Sequence, residues 1–206
     1  MHMKEYKPDF TLLTFYKFID VDSPQEEVYR QYWFCKDLGL KGRVFLGEEG
    51  ISATVSGTPG QLWSYRKYLE DTPWFKNIPD IDIKASKISS HAFDKMIVRY
   101  RKEIVSLGKT YTAAEIERHA KKISIDQFKK IIDDQQFDDY AILDMRNSYE
   151  YKLGHFKGAV PSGTVNFKEL EQVVKNYKIQ FGDKKIIMYC TGGIRCEKAS
   201  VMLNEF

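Results

Sequence analysis

Only three cysteines occur in 206 residues. That is too few, and odd in number, for a disulfide framework. A reducing cytoplasm is the expected compartment, and any special cysteine is then more readily reactive than structural. No run approaches the ~18 uncharged apolar residues of a membrane-spanning helix, so no membrane association is expected. The N-terminal stretch Met1 to Asp9 has no apolar core and does not read as a secretory signal. His2, His91, His119 and His155 are scattered without metal-ligand spacing, so no metal is expected. No flavin or dinucleotide fingerprint and no non-haem iron set is present, and the sequence identifies no cofactor. There are no repeats and no low-complexity tracts.

What is present is ordinary globular material. Apolar residues make up 43% and charged residues 30%, with 13 Phe, 13 Tyr and 3 Trp to bury, which excludes disorder as the overall state. The length allows one large domain or two small ones. A net charge of +3 says little by itself, but its distribution says more. Residues 95–130 hold ten Lys/Arg against four Asp/Glu, a local +6. This segment is a candidate contact for a polyanion, or else a solvated linker and helix face.

The first half reads as βαββαβ. Phe10 to Ile19 is a β-branched and aromatic run. Ser23-Pro24 opens a helix carrying Val28, Tyr32 and Cys35 on one face and ending near Gly39. Gly42 to Leu46 and Ile51 to Ser56 form a hairpin around Gly47-Glu48-Glu49-Gly50, whose adjacent carboxylates are expected to be solvated. Thr58-Pro59-Gly60 opens a second helix, and Asp80 to Ile88 alternates as a fourth strand. This order is ferredoxin-like. We expect that domain at 1–95 and an extended, basic connector at 96–122, with Arg99 and Arg101 on one face and a helical tendency from Thr112 to Lys122.

The second half, 123–206, has an α/β rhythm. Ser124 caps a helix. Tyr140-Ala141-Ile142-Leu143 and Ile186-Ile187-Met188-Tyr189 are short apolar runs, as buried parallel strands are. In such sheets the reactive site lies at the carboxyl ends of the strands. Cys190 occupies that position, followed by Thr191-Gly192-Gly193-Ile194-Arg195 and a helix from Cys196 onward. A double glycine lets the backbone N–H groups curl inward as an anion nest. The helix start and Arg195 add positive character, so the Cys190 thiol should have a lowered pKa and act as a nucleophile. Cys196 either resolves an oxidised or persulfidated Cys190 or packs the first helical turn. Cys35 reads as core.

These residues resemble a known family. Asp144-Met145-Arg146, Gly154-His155-Phe156-Lys157-Gly158-Ala159 and the Cys190 loop are similar in order and spacing to a rhodanese domain. Together with Glu48-Glu49-Gly50-Ile51 and Arg101-Lys102-Glu103-Ile104-Val105, the string Cys190-Thr191-Gly192-Gly193-Ile194-Arg195-Cys196-Glu197-Lys198-Ala199-Ser200 resembles the bacterial tRNA uridine hydroxylase family. The resemblance implies an acylphosphatase-like (ferredoxin-like) domain followed by a rhodanese domain, here expected to be incomplete at its C-terminal end. It also implies 5-hydroxylation of the wobble uridine of tRNA, with molecular oxygen as co-substrate. His155 is then a scaffold residue. Asp144 and Arg146 are expected to hold loops by charge-assisted bonds, and Arg99, Arg101 and Lys102 to line an RNA track.

Two rivals stand beside this expectation. One is a sulfurtransferase carrying a persulfide on Cys190, and the other is a non-catalytic RNA-binding module. The loop from Cys190 to Arg195 is six residues long. Phosphatases of the rhodanese fold use one residue more, so phosphatase activity is the weaker enzymatic alternative.

Overall fold

The computed structural model describes residues 9–76, 81–119 and 121–205. His2 and Asp80 lie outside them. The chain divides into two compact units, Met1–Ile104 and Val105–Phe206.

The first unit holds strand β1 (Phe10–Phe18), helix α1 (Pro24–Asp37), strands β2 (Lys41–Gly47) and β3 (Gly50–Gly57), helix α2 (Pro59–Asp71) and strands β4 (Lys84–Ile88) and β5 (Met96–Tyr100). The sheet order is β4-β1-β3-β2-β5, antiparallel except for the parallel β2–β5 pair. The first four strands give the ferredoxin-like order. The fourth is shorter than expected: Ile81 and Ile83 precede it, although both pack against the core.

Residues 96–100, expected as the start of a connector, are instead an edge strand of this sheet. Val98 is buried among the core residues, and the Arg101 N–H donates to the Leu46 carbonyl at 2.7 Å. Five residues of alternation are too short a signal to separate a strand from an extended linker.

The core is one-sided. Phe15, Val44, Leu46, Ile51, Ala53, Val55 and Val98 from the strands meet Cys35, Leu62, Tyr65 and Leu69 from the helices. Alternation along each strand sends the intervening side chains to the opposite face. Helix α2 starts as its sequence directs, with Pro59 in the first turn and a reciprocal Thr58–Gln61 capping box. At α1 Ser23 occupies the cap position without a side-chain cap bond.

The turn carboxylates separate. Glu48 is exposed and accepts the Tyr100 hydroxyl at 3.0 Å. Glu49, expected in solvent, is 4% exposed and accepts the Ile104 N–H at 2.8 Å. It fixes the chain where it leaves β5.

The second unit contains α3 (Ala113–His119), α4 (Ile125–Asp133), β6 (Tyr140–Asp144), α5 (Ser148–Leu153), β7 (Ala159–Pro161), α6 (Leu170–Phe181), β8 (Lys185–Tyr189) and α7 (Ile194–Asn204). Its sheet has the order β7-β6-β8, with both pairs parallel. β7 was not anticipated; three residues carry no periodicity. Ser124 and Gln127 form the capping box of α4. Gly158, at φ +76°, lies so close to the Phe137 ring that a Cβ would clash at 2.5 Å, so this bend before β7 requires glycine. Among the described residues no helix is long and apolar enough to cross a membrane.

Candidate active site

The parallel strands β6 and β8 end side by side. Asp144 is in register with Tyr189, and the Met145 N–H donates to the Tyr189 carbonyl at 2.9 Å. The loops that follow, 145–147 and 190–193, therefore emerge as neighbours, where the open ends of parallel strands collect functional groups. Helix α7 begins at Ile194, two residues earlier than expected, so Cys196 sits within its first turn.

Gly193 takes φ +96°, a conformation that suits glycine, and turns its N–H back toward Cys190. That N–H donates to the Cys190 Sγ at 3.0 Å. Gly192 also directs its N–H at the sulfur, as the double glycine leads one to expect, but without glycine's special conformation. It is absent from the positive-φ glycines, and a Cβ built on it meets nothing within 4 Å. Open space therefore borders the loop at that residue.

The Cys190 thiol is pushed down to about 5. The largest cause is a hydrogen bond from the Cys196 thiol. Burial works against ionisation but is outweighed, because backbone N–H groups of Cys196, Gly192 and Arg195 add further donors. The Cys196 thiol is correspondingly pushed well up, since it donates to a thiolate and is itself buried. At neutral pH the pair is thus a Cys190 thiolate held by a Cys196 thiol. This is the microenvironment of a nucleophilic cysteine.

Arg195 does not act as the simple positive charge that the sequence suggests. Its guanidinium makes a two-pronged pair with Glu150, at 3.0 and 3.2 Å, and Nη1 also reaches the Met145 carbonyl at 3.4 Å. Glu150 accepts the Thr191 hydroxyl at 3.0 Å and the Asn147 N–H at 3.0 Å. One carboxylate therefore ties both loops together. Burial pushes the Glu150 carboxyl up, but the bonds from Arg195, Asn147 and Thr191 win and leave it below its ordinary value. Sequence reasoning missed Glu150. Its only local signal was Asn147-x-x-Glu150, which is the capping box that starts α5.

Beneath the loops, Asp144 is fully buried and accepts Arg146 Nε at 2.9 Å, Arg146 Nη2 at 2.6 Å, the Arg146 N–H at 3.0 Å and the Tyr189 hydroxyl at 2.7 Å. Burial opposes its ionisation, yet these donors keep the carboxyl below the usual range. Arg146 also donates to the Gly154 carbonyl at 2.6 Å, fastening the loop that carries His155. His155 stacks on Tyr151 at 3.9 Å, with Nδ1 3.0 Å from the Tyr151 carbonyl oxygen, away from the thiol's contacts. Among the described residues no group of three or more His, Cys, Asp or Glu side chains could hold a metal ion.

Arg99, Arg101 and Lys102 are exposed in the first unit, whereas Cys190 belongs to the second. The Arg101 guanidinium lies over the Phe45 ring at 5.3 Å. Phe45 is paired in register with Arg99, so both arginines serve the same sheet face.

Comparison with known proteins follows the division of the chain. Residues 10–104 match the UPF0176 acylphosphatase like domain, and residues 124–205 match the rhodanese-like domain. A protein named tRNA uridine(34) hydroxylase from Streptococcus suis (strain 05ZYH33) is 39% identical over 197 residues, covering 93% of this chain and 58% of that protein. One of the same name from Staphylococcus carnosus (strain TM300) is 40% identical over 195 residues, covering 95% of this chain and 60% of that protein. The chain thus spans somewhat more than half the length of these curated relatives.

Proposed function

We propose, from the premise that the chain belongs to the family of the tRNA uridine(34) hydroxylases, that it takes part in 5-hydroxylation of the wobble uridine of tRNA, with Cys190 as the reacting thiolate. The observation that carries the chemistry is the Gly193 N–H donating to Cys190 Sγ at 3.0 Å in a loop rigidly tied by Glu150. Preorganised donors hold a negative sulfur before substrate arrives, which lowers the cost of forming the nucleophile. Open space at Gly192 gives a planar base a route of approach. Asp144, Arg146, Glu150 and Arg195 act as positioning residues, since each fixes a loop. Molecular oxygen is the proposed source of the added oxygen atom, its second atom leaving as water with two electrons and two protons supplied by an external two-electron reductant, and the cytoplasm is the proposed compartment.

A second reading has one specific observation in its favour. The short loop and its N–H donors also suit a sulfane sulfur carried on Cys190, as sulfurtransfer requires. Mass spectrometry of tRNA nucleosides from cells with and without the gene separates the two. Loss of 5-hydroxyuridine derivatives, restored by the wild-type gene, is expected. Loss of thiolated bases instead would favour sulfurtransfer, and unchanged nucleosides would leave a non-catalytic RNA-binding module.

A further inference from the structure

The first N–H groups of a helix have no partner inside it. At the start of α7 the Cys190 sulfur meets several of them. The Gly193 N–H reaches it at 3.0 Å, and the N–H groups of Arg195 and Cys196 are turned to it as well. Cys196 lies in the first turn of the helix, and its thiol donates to the same sulfur. Two thiols of one chain are therefore in direct contact. Both are half-buried, unlike the fully buried Cys35. The reaction proposed above uses Cys190 as its thiolate, and Cys196 serves there only as a donor.

The segment between the two sulfurs allows them to approach further. A disulfide needs sulfur atoms ~2 Å apart, closer than any hydrogen-bonded pair. Gly192 and Gly193 lie between the cysteines and give the backbone its freedom. A Cβ placed on Gly192 meets nothing within 4 Å, so that residue has space in which to shift, and a small solute can enter beside the loop. The surroundings of Cys196 also set an order of events. Its thiol is kept protonated by its hydrogen bond to Cys190, by burial and by the Cys190 charge. Oxidation of Cys190 abolishes the first and the third of these. Burial is then opposed by the Arg195 charge, which favours the Cys196 thiolate. The second thiol is therefore silent while the first is reduced, and is released when the first is oxidised.

We infer that Cys190 and Cys196 form a reversible disulfide when hydrogen peroxide reaches the site, which takes the reacting thiolate out of use and preserves it. The Cys190 thiolate attacks one peroxide oxygen. The O–O bond breaks, a sulfenic acid forms on Cys190, and the departing hydroxide takes the Cys196 proton and becomes water. The Cys196 sulfur then attacks the sulfenic sulfur. The S–S bond forms, the S–O bond breaks, and the second hydroxide leaves as water with a proton from solvent. Two electrons pass from the two sulfurs to the peroxide. A dithiol reductant returns both thiols by exchange. Without Cys196 the sulfenic acid stands open to the sulfinic and sulfonic acids, which thiols do not reverse. The inference rests on Cys190 being the reacting thiolate proposed above, but its chemistry needs no RNA.

The test exposes the whole reduced chain to hydrogen peroxide at neutral pH. Remaining thiols are blocked with iodoacetamide in denaturant, and tryptic peptides are read without reduction. Trypsin cuts after Lys185, Arg195 and Lys198, so the two cysteines fall on separate peptides, 186–195 and 196–198. The expected product is these two peptides joined, from protein that runs as a single chain on a non-reducing denaturing gel. Cys35 should remain a free thiol, and dithiothreitol should return Cys190 to its reactive form. In Cys196→Ala, peroxide should carry Cys190 to the sulfinic and sulfonic acids, and dithiothreitol should recover little of it. Cys196→Ser, which keeps a hydroxyl donor but no second sulfur, should show the same loss. A Cys190 that peroxide leaves unoxidised, a free Cys196 thiol beside an oxidised Cys190, or a bond found only between two chains overturns the inference. Equal recovery of Cys190 in the wild type and both variants does so too. The wild-type result decides even where a variant fails to fold. The nucleoside measurement tests the enzymatic assignment separately. Joined peptides with unchanged nucleosides would keep the redox pair and remove the tRNA assignment, whereas lost 5-hydroxyuridine without joined peptides would do the reverse.

Discussion

The core of the first unit and the strand-end loop of the second each hold a cysteine, and the two surroundings drive the thiol in opposite directions. Cys35 is 0% exposed on the apolar side of α1, and burial alone pushes its thiol up to about 12. Cys190 is also largely enclosed, yet its thiol is pushed down to about 5 by the Cys196 thiol and by backbone N–H groups. Burial by itself makes a thiol inert, whereas burial with donors aimed at the sulfur makes a thiolate. The difference lies first in the Cys196 thiol aimed at Cys190 and then in the backbone: Cys35 is inside a helix whose N–H groups are already used, while the N–H groups of Gly192, Arg195 and Cys196 at the start of α7 are turned to the Cys190 sulfur.

Several substitutions would break or sharpen that contrast. The largest effect belongs to Cys190→Ser, which removes the thiolate and keeps the loop. If the proposed function holds, tRNA modification in a complementation assay should fall at least several hundredfold, with the melting temperature unchanged. Cys35→Ser should leave modification intact and cost stability instead.

Next is Asp144→Asn, which leaves Arg146 without its buried carboxylate. The second unit should lose about 3 kcal/mol, seen as a lowered melting temperature. The related pH effect has a defined sign. Asp144 and Glu150 are held below their ordinary values. Their contribution is therefore complete above the unfolded carboxylate range and is lost as pH falls below ~4 through the folded values.

A smaller effect is expected from Cys196→Ala. Loss of the thiol donor should raise the ionisation midpoint of Cys190, by about one unit or more, with Cys196→Ser restoring part of the shift through its hydroxyl. The smallest signal concerns phosphate esters. p-Nitrophenyl phosphate should turn over no faster than background, and turnover abolished by Cys190→Ser would contradict the argument from the six-residue loop.

Strand β6 was legible because a buried parallel strand leaves an uninterrupted apolar run; β8 carries the same kind of run but is not the buried strand expected, since it is an edge of the described sheet with Lys185 and Ile186 exposed and Ile187 to Tyr189 half-buried, and Cys190 was legible because it follows that run. The helix starts at Thr58 and Ser124 were legible, one from the Pro59-Gly60 that follows it and the other as a capping residue type, whereas their Gln61 and Gln127 partners emerged from the structure. The rest depended on contacts that sequence order does not display. Glu150 reaches Arg195 across 45 positions, and nothing local marks it beyond its capping role. Glu49 is buried by the Ile104 backbone, which a two-residue turn pattern cannot reveal. β5 declares itself only through its partner β2. Arg195 was visible as a residue, but not as one half of an ion pair.

The central claim is that the loop after β8 makes Cys190 a thiolate, and it is tested most directly by the pH dependence of alkylation. Iodoacetamide modification of each cysteine in the native chain would be followed by peptide mass spectrometry between pH 4 and 10. The account predicts that Cys190 reacts with a midpoint near 5 while Cys35 stays unmodified until the protein unfolds. A Cys190 midpoint near that of a free thiol, ~8.5, would contradict it.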